Sequence, residues 1–509
     1  MSEKHYVVSL HKGFNKEEVI NALNRDTTLD ATVNSDIIPD RQVQNVNTRP
    51  SSKRIFEIAL TDEEAIKLKN DPRVGDVNIP LVWSDDWLDY TQPAPEGGNG
   101  WMRNSTSTTR GNWGLLRQSN TASAWGLNVG SDLTAGTTYD YHLDGTGVDY
   151  VHQEGNFRYT HEQWQDRNGT SRLVELQWNT LPNMGGLPVQ DYSDASSSYH
   201  ATHCCGTAVG KDYGWAKNSA IYCLDTGLVS QDAWFDAIKE FHKAKTVDPV
   251  TGFKRPTVVG ASWGYKAYFT SITDILFRGV SQGSVKSADY GMIGDAISRF
   301  NANLYQLNVE VEEMQDEGIH YIKSAGNQYQ KLCYDGDIDY DNYITRSIAT
   351  GPIAAGNPVY YNRGAGNIGP DTIVVGNLDS ALYNNAEATA TDSDKGPRVD
   401  IWAAGTNIMS ADNVNDTSVL NLSGTSMATP QVSGMSCLIL QLNPGWSPAQ
   451  LRKWWQDNAV LNLMNQGSTD EGTPSTFFAN NRSLFNGTNR IAYFPYAIDK
   501  ALTTTVGIS

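Results

Sequence analysis

From about Asn112 the sequence alternates short apolar runs with helical periodicities, and this alternation restricts the fold more than any other feature. Ser230 can cap a helix whose Trp234, Ala237, Ile238 and Phe241 recur at i, i+3, i+4 and i+7, and "PTVVGASWG" follows as a buried strand ended by glycine. A second helix carries Leu304, Leu307, Val311 and Met314, stops at Gly318 and feeds the strand "IHYIKSAGN". Strands that alternate with helices in this way build a mostly parallel sheet covered on both faces, an α/β architecture of three layers. In such sheets the loops at the carboxyl ends of the strands carry sites, which singles out Ser262 to Gly264 and Ala325 to Asn327.

The chain before Asn112 reads differently. Residues 1–82 form a small α+β unit: a strand at Tyr6 to Leu10, a helix from Asn15 with Val19, Ile20 and Leu23, and a strand "IFEIAL" at 55–60. Thr61 to Glu64 spells a T-x-x-E capping box opening a second helix, which Asp71-Pro72 stops before a last strand near Val74 to Val77. This predicts the order β-α-β-α-β with an irregular segment around 30–50. Residues 83–111, ending in "QPAPEGGNGWMRNSTSTTRG", show neither period and are expected to be a flexible linker; 112–509 would be the main domain.

Charge narrows the partners. A formal net charge of -18, with only 39 Lys plus Arg, repels phosphate backbones and anionic lipid, so nucleic acid and membrane surfaces are excluded as partners. The start, "MSEKHYVVSLHKGF", has no basic region followed by an apolar one, and no window reaches the ~20 apolar residues of a spanning helix. An intracellular chain is expected. Five cysteines, Cys204, Cys205, Cys223, Cys333 and Cys437, give neither an even disulfide framework nor a C-x-x-C metal spacing.

The chemistry concentrates on "NLSGTSMATPQVSG" at 421–434, where Ser426 stands at the mouth of a helix of small residues. A serine hydroxyl is a weak nucleophile; it needs a base, a group to orient that base, and donors for the developing oxyanion. The N-terminus of a helix favours negative charge there, and Pro430 in the first turn is expected to cost no helical hydrogen bond. "HATHCCG" at 200–206 supplies the base candidate His200, with His203 as competitor. "SGTSMATPQVSG", "HATHCCGTAVG", "SWG" and "SAGN" resemble, in the family's chain order, the serine, histidine, substrate-strand and oxyanion-hole motifs of the subtilisin-like serine proteases, the subtilases. The resemblance covers roughly residues 112–460, and residues 1–82 are similar to the family's propeptide, a small ferredoxin-like domain that assists folding and inhibits the site.

The resemblance implies a serine endopeptidase acting on protein or peptide substrates, made as a zymogen whose own N-terminal domain is a partner and which cleaves itself within 83–111. Ser426 would be the nucleophile, His200 the general base and the Asn327 amide an oxyanion donor, with Ser262, Trp263 and Gly264, and Ala325 and Gly326 beside them, binding an extended substrate. The third partner departs from the family, which carries an aspartate in D-[ST]-G at the end of the first core strand. Here that strand reads "GTGVDYVHQEGNF", and Glu154 takes the aspartate's place. Asp149, five residues earlier on the same strand, is about 16 Å away and on the opposite face. Glu keeps the charge but adds a methylene, so an attenuated triad is expected; the alternative is a weak or inactive subtilase fold serving as a structural or binding component. Ala201 and Tyr199 stand where smaller residues are usual. His152, on the same face as Glu154, reads as a hydrogen-bonded core histidine, and Cys204 and Cys205 as buried structural thiols. No cofactor is required. Calcium is common in the family, but the acidic loop "DGDIDYDN" at 335–342 lacks EF-hand spacing and reads as a solvated turn. "GWAKNSAIY" and "DPVTGFKRPTVV" look like subtilase-type proteins of tailed phages, which would put the chain in a virion or host cytoplasm.

Overall fold

The computed structural model describes residues 3–11, 13–23, 45–47, 55–78, 90–92, 100–107, 110–133, 139–226, 231–249, 251–264, 266–269, 272–283, 298–301, 305–346, 358–364, 366, 368–465, 482–495 and 497–498. Ser230 and Leu304 lie outside them. The chain divides into two compact units, Met1–Asp89 with Thr246–Lys254, and Tyr90–Lys245 with Arg255–Ser509.

The first unit has the order β1 (Lys4–Leu10), α1 (Lys16–Leu23), β2 (Asn45–Asn47), β3 (Ile55–Leu60), α2 (Asp62–Lys69) and β4 (Val74–Asn78). Its antiparallel sheet runs β2-β3-β1-β4, the split β-α-β-β-α-β arrangement of ferredoxin-like folds. Tyr6, Val8 and Leu10 alternate inward on β1 and meet Phe56, Ile58 and Leu60 of β3, as a strand period of two requires. Thr61 and Glu64 form the capping box, the Glu64 carboxylate accepting from Thr61 N–H at 2.7 Å. The strand β2 corrects the irregular segment expected around 30–50. It is short and polar, so periodicity carries no signal for it, and pairing with β3 makes it a strand. Residues 246–254, expected in the main domain, belong to this unit; Lys69 Nζ donates to Thr251 O at 3.1 Å.

In the second unit the elements that position the site are β5 (Asp149–Glu154), α3 (Tyr199–Val209), β6 (Ala220–Asp225), α4 (Gln231–Ala244), β7 (Thr257–Ala261), α5 (Tyr305–Asp316), β8 (His320–Ser324), β9 (Ile373–Leu378), β10 (Ile401–Ala404), β11 (Ile408–Ala411) and α6 (Thr425–Leu442). Two further short strands, β12 (Val460–Leu461) and β13 (Arg490–Ile491), complete a sheet of order β6-β5-β7-β8-β9-β10-β13-β12. Every neighbouring pair is parallel except the last, β13 with β12. Val151, Val259 and Tyr321 pack on one face with Phe235 and Ile238 of α4 and Leu307, Val311 and Met314 of α5. Residues of opposite parity on β5 point to the other face, where α3 and α6 lie. The helix α6 is buried from Thr425 through Leu440, so it is apolar or small all round rather than striped. Gly434 lets α3 and α6 touch: a Cβ there would sit 2.3 Å from Ala208 O and 2.8 Å from Trp215 Cβ.

The linker expected over 83–111 is corrected at 90–92, 100–107 and 110–111; its other residues lie outside the described ones. Tyr90–Gln92 pairs with Tyr139–Tyr141, and Trp101–Met102 with Asp132–Leu133. Trp101 is fully buried, and the buried Arg103 guanidinium meets the Glu387 carboxylate at 2.5 Å and donates to Asp379 O at 2.8 Å. Pro, Gly and Ser punctuate this stretch, but one large aromatic ring and one paired cation anchor it.

Candidate active site

Glu154 ends β5, at the carboxyl edge of the sheet, and its Oε1 accepts a short hydrogen bond from His200 Nδ1. His200 lies in the first turn of α3, whose N-cap Ser198 accepts from Ala201 N–H and donates its own N–H to Asn156 O at 2.7 Å. That second bond ties the start of the helix to the loop just after Glu154, so the acid and base are held by one local unit. With Nδ1 committed as donor to the carboxylate, His200 Nε2 is the nitrogen left to accept a proton. The glutamate is 12% exposed and the imidazole 33%. The methylene that distinguishes Glu154 from an aspartate is therefore accommodated with the carboxylate in contact with the imidazole.

Electrostatics follow from this pairing. The Cys204 sulfur, 3.9 Å from His200 Nδ1, and then the Glu154 carboxylate raise the His200 pKa above its ordinary value, against burial, which lowers it. Burial pushes the Cys204 thiol up, against the pull of the His200 charge. Burial also works to raise Glu154, but the charge and hydrogen bond of His200 outweigh it and the net direction is down. Glu154, His200 and Cys204 present donor atoms within 4.8 Å of one another. His200 Nδ1 is already engaged with Glu154 Oε1, so its lone pair is not offered to a metal. His203, the competing base, is fully buried, bonds through Nε2 to Ile408 O at 3.0 Å and is pushed down to about 3 by burial. It anchors α3 to β11. Asp149 is buried and held by Lys245 at 2.7 Å and Arg255 at 2.8 Å, far from this chemistry.

Ser426 is the second residue of α6. The turn before it uses Gly424 at φ 149°, a conformation open to glycine, and Gly424 N–H donates to Gly405 O at 2.8 Å. Pro430 lies inside the helix, not in its first turn, which corrects the expectation that it costs no hydrogen bond. It withholds the N–H that would reach the Ser426 carbonyl. That carbonyl instead accepts from Ser262 Oγ at 2.9 Å and Cys204 Sγ at 3.3 Å. The proline thus frees an acceptor that pins the serine's backbone to β7's end and to α3. The Ser426 hydroxyl donates to Ser262 O at 3.1 Å.

Asn327 follows β8, and its Oδ1 accepts from Thr425 N–H and Thr425 Oγ1, both at 2.9 Å. The carbonyl end of the amide is thereby fixed, leaving Nδ2 as the free donor end beside the first turn of α6. Gly326 N–H donates to Thr425 Oγ1 at 3.2 Å, and Ala325 N–H to Val375 O at 2.9 Å. Ser262, Trp263, Gly264, Gly326, Asn327 and Ser426 line one cleft, while Ala325 is buried behind it. The Trp263 ring is anchored edge-on to Trp234 at 5.6 Å. Sequence reasoning missed Lys323, a buried cation lining the same cleft whose Nζ donates to Trp263 O at 2.9 Å. Its signal was a lone lysine inside the apolar run "IHYIKS".

The acidic loop at 335–342 is a turn, exposed at Asp335, Gly336, Ile338 and Asp341, but a buried ion-paired aspartate anchors it. Asp339 is fully buried and held by Arg278 at 2.7 Å and Lys331 at 2.9 Å, Asp341 pairs with Arg363, and Asp337 accepts from Tyr334 N–H at 2.8 Å. Asp339 and Asp341, already held by the chain's own cations, are poor ligands for calcium.

The model of the subtilase family matches residues 155–487, beginning immediately after Glu154. The chain is 26% identical over 383 residues to the cuticle-degrading serine protease of Arthrobotrys oligospora, covering 74% of this chain and 69% of that protein. It is 25% identical over 417 residues to alkaline protease 2 of Aspergillus fumigatus, covering 79% of this chain and 66% of that protein. A solved cold adapted subtilisin-like serine proteinase is 20% identical, with a TM-score of 0.45 over 75% of this chain and 98% of that one. With the match spanning more than half of its residues, the chain belongs to the subtilase family of serine-type endopeptidases.

Proposed function

We propose that this chain hydrolyses peptide bonds through an acyl-enzyme on Ser426, with His200 as general base and Glu154 doing the work of the family's aspartate. The observation that carries the reading is the bond from His200 Nδ1 to the Glu154 carboxylate, together with Cys204, whose sulfur lies 3.9 Å from His200 Nδ1 and 3.3 Å from Ser426 O. His200 Nε2 takes the Ser426 proton as Oγ attacks the scissile carbonyl, and the imidazolium that forms is stabilised by Glu154. The oxyanion is met by the Ser426 backbone N–H at the helix terminus and by Asn327 Nδ2. His200 then returns the proton to the leaving amine, and water repeats the sequence on the acyl-enzyme. Ser262 to Gly264 would align an extended substrate beside the serine, as a strand added to that edge.

Residues 1–82 act in this reading as the inhibitory propeptide of a zymogen, cleaved from the remainder in the segment between the units. The ferredoxin-like order of β1 to β4 supports it. A second reading, a binding or structural subtilase fold with little catalysis, is favoured by one observation: the Ser426 hydroxyl is engaged by Ser262 O. Hydrolysis of an internally quenched peptide mixture by the purified wild type and by Ser426→Ala separates the two. Turnover abolished in Ser426→Ala supports the enzyme; equal residual turnover in both sinks it. Loss of about the first hundred residues in the intact mass of the wild type, and not of Ser426→Ala, is the expected mark of self-processing.

A further inference from the structure

Glu154 has two carboxylate oxygens and His200 uses one. The other, Oε2, is buried without a hydrogen-bond partner, and so is Nε2 of the buried His152, 3.7 Å away. Two neighbouring buried polar atoms left without a hydrogen bond call for an account, since each loses hydration without compensation. Tyr150, His152 and Glu154 alternate along β5 and so share one face of the sheet. Tyr150 Oη lies 3.3 Å from His152 Nδ1. The room for that hydroxyl comes from Gly260, the parallel partner of His152 on β7, where a Cβ would lie 2.4 Å from Tyr150 Oη. Phe157 packs edge-on against the His152 ring at 5.7 Å and 72°.

The ring's proton can be assigned from these neighbours. Burial holds His152 down to about 4, so it is neutral and carries one N–H. A tyrosine hydroxyl donating to Nδ1 leaves that proton on Nε2, aimed at Oε2 of Glu154. At 3.7 Å the contact is longer than a hydrogen bond. The final torsion of a glutamate is broad, and a rotation about it closes the gap without moving the backbone. We propose that His152, backed by Tyr150, is a positioning residue that holds the Glu154 carboxylate against His200 from its far side. This second contact is what lets a glutamate, with one more rotatable bond, stand where the family uses an aspartate. The role rests on the reading of Glu154 and His200 as acid and base, and it gives His152 no contact with substrate.

The test uses the full chain carrying Ser426→Ala, which removes self-digestion, and the His200 Nδ1 proton resonance as a readout independent of turnover. The resonance is expected downfield and sharp with His152 present, broadened in His152→Phe as the carboxylate samples other rotamers, and retained in His152→Gln, whose amide can still donate to Oε2. In the chain with Ser426 intact, His152→Phe is expected to lower kcat about 10-fold with KM within about twofold, because misplacing a catalytic group acts on the reacting geometry and not on substrate binding. His152→Gln restores most of kcat. Tyr150→Phe, which removes only the backing hydroxyl and keeps the ring volume, is expected to give a smaller fall of about threefold and remains informative where His152→Phe fails to fold. A sharp resonance in both His152→Phe and Tyr150→Phe overturns the proposal, as does a resonance broadened as much in His152→Gln as in His152→Phe. If the wild type turns over no peptide, the catalytic reading fails, and the resonance still decides whether His152 positions Glu154.

Discussion

Replacing Glu154 by glutamine removes a charge and almost nothing else. The side chain keeps its length, and the amide oxygen can still accept from His200 Nδ1, so the base keeps its place and loses only the anion that stabilises it once protonated. Because His200 is 33% exposed, the site is not a dry interior, and an effective dielectric of about 20 suits it better than about 4. At about 4 Å between charge centres, the lost attraction is then about 4 kcal/mol. At about 1.4 kcal/mol per factor of ten, Glu154→Gln should lower kcat about 10^3-fold. This lies within the roughly 10^4-fold that loss of the orienting carboxylate costs in related triads. KM should stay within about twofold, since Glu154 touches the base and not the substrate. Steady-state hydrolysis of one quenched peptide by wild type, Glu154→Gln and Glu154→Asp gives the answer. Glu154→Asp keeps the charge and should fall between the other two. A glutamine variant within about threefold of wild type would refute the assignment of Glu154 as the charge behind His200.

The raised pKa of His200 sets a pH profile: the base works only when neutral, so kcat/KM should climb with pH and pass its midpoint above the ordinary value of 6.5. The same shift makes the stabilisation from His200 complete below about pH 6.5 and lost as pH rises through the folded-state value, while the lowered Glu154 contributes above its ordinary 4.5 and loses its contribution on acidification. A midpoint below 6.5, or a rate that does not change across the alkaline limb, contradicts this account. Asn327→Ala should lower kcat about 10^2- to 10^3-fold while KM changes little, the mark of a donor used in the transition state; a pure KM effect would reassign Asn327 to substrate binding. Asp339→Asn leaves Arg278, 26% exposed, and the buried Lys331 without their anion. Breaking a buried pair of this kind costs about 3 kcal/mol or more. The melting temperature should fall and added calcium should not restore it; an unchanged melt would show that the loop is not held by these pairs.

The parts of this molecule that are legible in its sequence are those set by local periodicity or by a short motif. Trp234, Ala237, Ile238 and Phe241 announce the α4 stripe, and the T-x-x-E box marks the start of α2, because helix faces and caps are properties of a few neighbouring residues. The pairing of His200 with Glu154, and the place of Ser426 and Asn327 in one cleft, also follow from where their motifs fall, at the carboxyl ends of parallel strands and the first turns of α3 and α6. What is not legible depends on distant partners. Trp101 and Arg103 sit in a stretch that reads as linker, and only the buried Glu387 and the neighbouring strand turn it into structure. Pro430 looks like a first-turn proline until the helix start is located, and the carbonyl it frees has partners more than 160 residues away in sequence, Ser262 and Cys204. Two bonds likewise decide between His200 and His203: one to Glu154 and one to Ile408 O.

The central claim, that Ser426 is an activated nucleophile, is tested most directly by reacting the purified chain with a fluorophosphonate probe and mapping the adduct by peptide mass. The account predicts a single adduct on the peptide containing Ser426, absent from Ser426→Ala and formed far more slowly in Glu154→Gln. An adduct on any other residue, or none after the N-terminal unit has been removed, would contradict it.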